Sequence, residues 1–221
     1  MATIWKGAEV NTDLNARIMK DAQDLKERGI TPTLAIVRVG ERPDDLSYER
    51  GAIKRAESLG VTVEKCVLPV DVSQDVLLQV IGDLNANQQV HGVLLFRPLP
   101  KHLDEDLICN TLAAEKDIDG ITDLSSAGVF SGKALGFAPC TPSACMEILD
   151  HFGVDCTGKK AVVIGRSLVV GKPAAMMLVK KNATVTICHT RTADLPAVCR
   201  EADILIAAAG KAGMVGADFV R

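Results

Sequence analysis

The apolar run Ala161-Val-Val-Ile164 leads directly into Gly165-Arg-Ser-Leu-Val-Val-Gly171-Lys-Pro173, and helix-forming residues follow. A glycine-containing turn between a buried strand and a helix directs backbone N–H groups and the positive end of the helix dipole outward, which makes an anion site suited to a pyrophosphate. The spacing is not Gly-x-Gly-x-x-Gly, so the segment taken alone also admits a purely structural tight turn. Gly165, Arg166, Ser167, Val170 and Gly171 are the candidate cofactor residues here, joined by Thr190 at the end of the next strand. A dinucleotide-binding fold reads the ribose at that position, and cations such as Arg166 and Arg191 favour a 2′-phosphate, hence NADP with NAD as the alternative. Arg191 alone could equally be a solvated surface arginine.

Other chemistry-bearing residues are sparser. Tyr48 is the single tyrosine, and Asp119 precedes a glycine in Lys116-Asp-Ile-Asp119-Gly120. By type alone, the first reads as a half-buried packing residue and the second as a turn former. Seven cysteines stand at 66, 109, 140, 145, 156, 188 and 199 without a Cys-x-x-Cys pair. Neither a zinc site nor a disulfide framework is expected; the thiols read as small core residues, with a nucleophilic cysteine as the weaker alternative. No metal is expected.

The elements that must position these residues alternate. Apolar residues at helical spacing (Leu14, Ile18, Ala22, Leu25) predict a helix over 12–28, stopped by Gly29. Strands are predicted at 33–39, 61–68 and 90–96, with helices at 47–58, capped 73–85 and 104–112. A polar turn holding Pro43 precedes the second helix, and a loop runs from the Asp-rich segment to Phe137-Ala-Pro-Cys-Thr-Pro142. Ser143 is expected to cap a helix to 152, followed by strands at 159–164, 184–189 and 203–209 alternating with helices at 172–181 and 195–201. Strands alternating with helices imply parallel βαβ units, so the expected class is α/β in two domains, 1–140 and 141–221, the second a Rossmann-like doubly wound half.

Composition removes several function classes. Lys plus Arg number 25 against 28 Asp plus Glu, a formal charge of −3, with no basic tract to neutralise phosphates, so nucleic acid is not an expected partner. No run approaches the length of a membrane span, and residues 1–10 carry no leader-like apolar stretch. A soluble cytoplasmic protein is expected.

Five segments in order carry a family resemblance: Arg97-Pro-Leu-Pro100, Glu115-Lys-Asp-Ile-Asp-Gly120, Pro139-Cys-Thr-Pro142, the turn at 165–173, and Ala183-Thr-Val-Thr-Ile-Cys-His-Thr-Arg-Thr192. Together they resemble the tetrahydrofolate dehydrogenase/cyclohydrolase family across essentially the whole chain. The resemblance implies an N-terminal domain that binds folate and a second that binds NADP. It implies oxidation of 5,10-methylenetetrahydrofolate to the methenyl form in one-carbon metabolism, followed in bifunctional members by hydrolysis of the methenyl ring. It further implies that Tyr48 is an aromatic platform for the folate, that Asp119 holds the pterin, and that Pro98 and Leu99 border the substrate. Homodimers pairing through the nucleotide domains are implied as well.

The chain departs from the family pattern where protons move. The family's Tyr-x-x-x-Lys motif places a lysine one helical turn after the tyrosine, and that position here is Ala52. Lys54 matches a second, non-catalytic lysine and points to another face; Arg50 is a poor proton shuttle. The glutamine that tunes the lysine is replaced by Phe96, a common serine by Asp45, and a glycine after Thr-Pro by Ala144. His189 at a strand end is given no proton-transfer role. Hydride transfer needs mainly positioning, whereas ring hydrolysis needs an activated water, so the expectation is a dehydrogenase whose cyclohydrolase step is lost. A bifunctional enzyme using another base and a catalytically silent folate- or nucleotide-binding protein are the alternatives. Family members continue past the position of Arg221 with a further strand, a glycine-rich segment and a helix, so the nucleotide domain is expected to be truncated.

Overall fold

The structure is a computed structural model describing residues 3–221. Met1 and Ala2, part of the stretch read for a leader, lie outside the described residues. The near-continuous run of β-branched and apolar residues at Thr33–Val39 (β1) is what a strand covered on both faces requires. It is the centre of a parallel sheet in the order β2-β1-β3, flanked by Thr62–Leu68 (β2) and Gly92–Leu95 (β3). Val37 lies opposite Cys66 on one side and Leu95 on the other.

Helix Gly7–Glu27 (α1) precedes the sheet, and Pro43–Ser58 (α2) and Gln74–Ala86 (α3) make the crossovers. One face of the sheet sets Ala35, Val37, Val93 and Leu95 against Leu77 and Ile81 of α3 and Ile108 of Glu105–Thr111 (α4). The other face buries Ile36, Leu94 and Phe96, with Ala52 and Ile53 of α2 packed on them. Ser73 accepts a hydrogen bond from Val76 N and Asp104 one from Leu107 N, so α3 and α4 both begin on side-chain caps.

One charged pair interrupts the apolar strand. Arg38 of β1 donates from Nε to Glu49 Oε2 of α2 at 2.7 Å, with side chains only 6% and 8% exposed, and Arg38 also donates to Gly40 O. Burying one member without the other leaves an uncompensated charge, at a cost of about 3–5 kcal/mol. Glu49→Ala is therefore expected to lower the urea midpoint sharply, and Arg38→Met with Glu49→Leu to recover most of the loss. Equal midpoints for the single and double variants would contradict this account.

The second unit repeats the logic. Lys160–Ile164 (β4) is central in a parallel sheet ordered β5-β4-β6, with Thr184–Cys188 (β5) and Ile204–Ala207 (β6) at its sides. Val163 and Ala161 pack toward Met146 of Cys140–His151 (α6) and Ala175 and Leu178 of Gly171–Lys180 (α7). Val162 and Ile164 pack on the opposite face with Cys188, Phe219 and Cys199 of Leu195–Arg200 (α8). Helices thus cover both faces, the doubly wound arrangement expected from the alternation of elements.

The contacts divide the chain between Asp123 and Leu124. Residues 124–140 therefore group with the second unit, where the sequence draws its line at 140; Val129, Phe130 and Pro139 border the same apolar hollow as Pro173 and Met176.

Four local expectations change. Helix α1 begins at Gly7, five residues before the span 12–28 that the apolar spacing predicts, and Val10 is already a buried position in it. A loop was expected where Asp123–Ser131 forms helix α5; its buried positions are Ser125 and Gly128, so its inward face carries no apolar period to detect. A Cβ on Gly128 would fall 2.1 Å from Leu135 O, which explains why a small residue faces that loop. Helix α2 begins at Pro43 rather than 47, because proline's fixed φ suits the first helical turn as well as it suits a bend. Helix α6 begins at Cys140, and Ser143, expected as its cap, instead donates from Oγ to Pro139 O at 2.9 Å.

Candidate functional site

The first unit assembles a half-site around α2. Tyr48 is 62% exposed, and its ring meets the edge of Phe96 with centroids 5.4 Å apart at 62°. Phe96 follows β3 directly and is itself buried, with Ala52, Ile53 and Ile118 packed on its cluster. The two positions where the family carries a lysine and its tuning amide are therefore neighbours in space, and both are apolar. An open hollow of about 640 Å³ runs along the same helical stripe, lined by Asp44, Ser47, Tyr48, Gly51, Ala52 and Arg55. Arg50 and Lys54 are exposed and lie off that stripe.

Polar contacts fix the rim of this half-site. Arg42 Nε and Nη2 donate to Asp45 Oδ2 and Oδ1 at 3.0 and 2.9 Å, and Arg42 Nη1 reaches Pro98 O at 3.4 Å. Asp45, the substitute for a serine, thus holds an arginine that ties the start of α2 to the Pro98 segment. Leu99 is buried, and its N–H donates to Glu105 Oε2 at 2.7 Å.

Asp119 is half-buried in a loop fastened at several points. Asp117, fully buried, accepts from Ile121 N and Thr122 N at 2.9 Å each, and its backbone forms a parallel bridge with Val93. Lys116 Nζ donates to Leu84 O and Asn87 O at 2.7 Å each, and desolvation there pulls its pKa below the usual lysine range. Ile118, the residue beside Asp119, belongs to the Phe96 cluster. Asp117→Asn would turn an amide N–H₂ toward backbone donors, at a cost of about 1–3 kcal/mol. We expect a lower melting temperature; an unchanged one would remove Asp117 from the fastening of this loop.

The second half-site is the turn after β4. Gly165 has φ +125°, and a Cβ there would lie 2.4 Å from Ala208 O; a Cβ on Gly171 would lie 2.2 Å from Gly165 O. The start of α7 is therefore folded directly onto the end of β4, with bare backbone where side chains cannot fit. Ser167 Oγ accepts from Val170 N at 3.1 Å and Gly171 N at 3.4 Å, and Ser167 O accepts from Lys172 N at 3.0 Å, which holds the turn in place. Arg166 is exposed.

Thr190 is exposed on the turn after β5, next to Arg191. That turn is closed by His189 N to Thr192 Oγ1 at 2.9 Å, Thr192 N to His189 O at 2.9 Å, and Arg191 N to His189 Nδ1 at 3.1 Å. Tyr48, Ala52 and Phe96 are brought together in one unit. Gly165, Ser167, Val170 and Gly171 are brought together in the other.

Sequence reasoning did not single out Asp117, the Arg42–Asp45 pair, Glu49 or the closing role of His189. Asp117 carried a signal as the first carboxylate of a motif already noted, and Asp45 as a departure from the family pattern.

Burial pushes every thiol with a resolved shift upward, Cys109 to about 11, with Arg97 opposing and nearby carboxylates adding to the rise. A thiolate nucleophile is disfavoured at those positions. No group of three His, Cys, Asp or Glu side chains among the described residues could hold a metal ion. No described helix is long and apolar enough to cross a membrane.

Two family models match. Residues 5–119 match the tetrahydrofolate dehydrogenase/cyclohydrolase catalytic domain, and residues 139–221 match the NAD(P)-binding domain of the same family. The chain is 48% identical over its full length to the bifunctional protein FolD of Alkaliphilus oremlandii, covering 78% of that protein. It is 50% identical to the bifunctional protein FolD of Carboxydothermus hydrogenoformans, covering 77%. Among solved structures, the Campylobacter jejuni bifunctional enzyme FolD superposes with a TM-score of 0.94 at 36% identity, over 97% of this chain and 76% of that one. The Trypanosoma brucei dehydrogenase-cyclohydrolase, solved with NADP cofactor and an inhibitor, gives 0.92 at 30% identity over 100% of this chain and 76% of its own.

Proposed function

Because this chain belongs to the tetrahydrofolate dehydrogenase/cyclohydrolase family, we propose that it oxidises 5,10-methylenetetrahydrofolate to the methenyl form with NADP and has lost the hydrolytic second step. Residues 1–140 bind the folate, with Tyr48 as its platform, Asp119 on the pterin, and Pro98 and Leu99 along its border. Residues 141–221 hold the dinucleotide through Gly165, Arg166, Ser167, Val170, Gly171 and Thr190. Gly165 and Gly171 let the start of α7 close onto the end of β4, since a Cβ at either would meet the backbone of Ala208 or Gly165, and the helix N-terminus placed there is the anion site proposed for the pyrophosphate. When bound, NADP supplies the hydride acceptor. The chain's own contribution to that step is placement of the donor carbon, to which the Tyr48 platform and the fastened Asp119 loop contribute.

The single observation that carries the loss of hydrolysis is the apolar contact region of Ala52 and Phe96 beneath the Tyr48 ring. Opening the methenyl ring needs a group that gives and takes a proton near neutral pH. Neither residue has one. A second reading, a bifunctional enzyme with a different base, is favoured by the bifunctional names of relatives at 48% and 50% identity.

Two assays separate the readings. Purified protein is given 5,10-methylenetetrahydrofolate with NADP or NAD, and reduced nicotinamide is followed; methenyl hydrolysis is followed in parallel. Cofactor reduction without accelerated hydrolysis is expected. Hydrolysis at a rate comparable to oxidation would establish the bifunctional reading, and ligand binding with no turnover in either assay would mark a silent binding protein. Pairing into a homodimer through the nucleotide unit is proposed too, and light scattering that gives only a monomer mass would exclude it.

A further inference from the structure

We infer that His189 is a positioning residue for recognition of the cofactor's ribose 2′-phosphate, acting as a neutral hydrogen-bond acceptor that sets the turn carrying Thr190 and Arg191. The inference rests on the dinucleotide reading above and adds to it a residue to which hydride or proton transfer assigns nothing. Imidazole Nδ1 accepts from Arg191 N at 3.1 Å, so that nitrogen is unprotonated and the ring's proton sits on Nε2. The same residue's backbone closes the turn twice more, donating to Thr192 Oγ1 at 2.9 Å and accepting from Thr192 N at 2.9 Å.

Consider what the turn would be without the ring. Thr190 and Arg191 are both exposed and follow β5 at its C-terminal end, where open α/β sheets bind their ligands. An exposed turn of this length has few packing contacts to hold it, so its geometry depends on its internal hydrogen bonds. Arg191 N–H has its acceptor in the His189 ring, so deleting that acceptor removes a restraint on the peptide between Thr190 and Arg191, while the two His189–Thr192 bonds still close the turn. That peptide carries the Thr190 carbonyl and the Arg191 amide between Thr190, proposed above as a cofactor contact, and Arg191, a cation of the kind that favours a 2′-phosphate. Affinity for the 2′-phosphate should then fall through lost preorganisation, with no ligand contact removed.

The test uses three measurements on the full chain. Calorimetric titration with 2′,5′-ADP reads the 2′-phosphate, and titration with ADP reads the remainder of the nucleotide. His189→Phe keeps a planar ring but has no acceptor, and should weaken 2′,5′-ADP binding about tenfold, as expected for one lost positioning hydrogen bond, with a smaller effect on ADP. His189→Asn places its Oδ1 where Nδ1 stood and should restore binding to within about threefold of the parent. The third measurement needs no variant: long-range ¹⁵N–¹H correlation of the parent protein should show His189 as the Nε2–H tautomer.

The outcomes divide cleanly. Unchanged 2′,5′-ADP affinity in His189→Phe would overturn the inference, as would equal weakening in both variants or an Nδ1–H tautomer in the parent. Parent protein that binds neither nucleotide would instead overturn the dinucleotide reading on which the inference stands.

Discussion

Methenyl hydrolysis is expected to rise about 100-fold when Ala52→Lys and Phe96→Gln are introduced together, with the oxidation rate changing far less. General acid–base groups contribute about 10²–10⁴-fold to such steps, so the lower end is a reasonable yield for a lysine installed without further tuning. The pair has to be changed together for a packing reason. Ala52 packs on the cluster that contains Phe96, and the Phe96 side chain is 93% hidden from solvent, since it is only 7% exposed. A lysine placed against that ring would lose hydration without gaining a partner, which lowers its proton affinity and strains the cluster. Glutamine in place of the ring vacates volume and offers a carbonyl to the ammonium. Ala52→Lys alone should therefore give little hydrolysis and a lower melting temperature, and the double variant should exceed the sum of the singles. If the parent protein already hydrolyses the methenyl form at the oxidation rate, the explanation based on these two residues fails at the outset.

Gly171→Ala is expected to reduce kcat/KM for NADP by about 100-fold while leaving folate binding in place. The added Cβ would sit 2.2 Å from Gly165 O, 2.5 Å from Gly165 C and 2.9 Å from Arg166 N. All three are backbone atoms, so no side chain can swing aside to relieve the clash. The turn must open, which moves the Val170 and Gly171 amides that Ser167 Oγ now holds. A loss of about 1–3 kcal/mol in stability should accompany the change, in the range for forced overpacking. Nucleotide titration, oxidation kinetics and a melting curve on the same preparation check both parts. A folded Gly171→Ala protein with parental NADP affinity would show that the turn is a structural bend and does not cradle phosphate.

How far the sequence speaks is clearest at particular residues. The strands at 33–39 and 159–164 were legible because a strand covered on both faces must be apolar nearly throughout, and the short length, β-branched residues and following glycine separate such a run from a buried helix. Helix α5 was not legible, since its inward face is Ser125 and Gly128 and its packing relies on smallness and close backbone approach. The start of α2 was misjudged because Pro43 is compatible with both a turn and a first helical turn, and only the tertiary placement of Arg42, Asp45 and Pro98 selects between them.

By itself the sequence determined the α/β class, the alternation that makes both sheets parallel, and the glycine-bearing turn, each a local property written in residue type and short spacing; the two groups missing at Ala52 and Phe96 came from the family resemblance. Only the tertiary structure decided that Ala52 and Phe96 share one apolar cluster beneath Tyr48, that Asp117 fastens the Asp119 loop, that Glu49 neutralises Arg38 inside the sheet, and that Gly171 rests on Gly165. Those contacts join residues far apart in the chain or fold a turn back on itself. They depend on strand register and helix placement, which the whole core sets at once and no short window of sequence encodes.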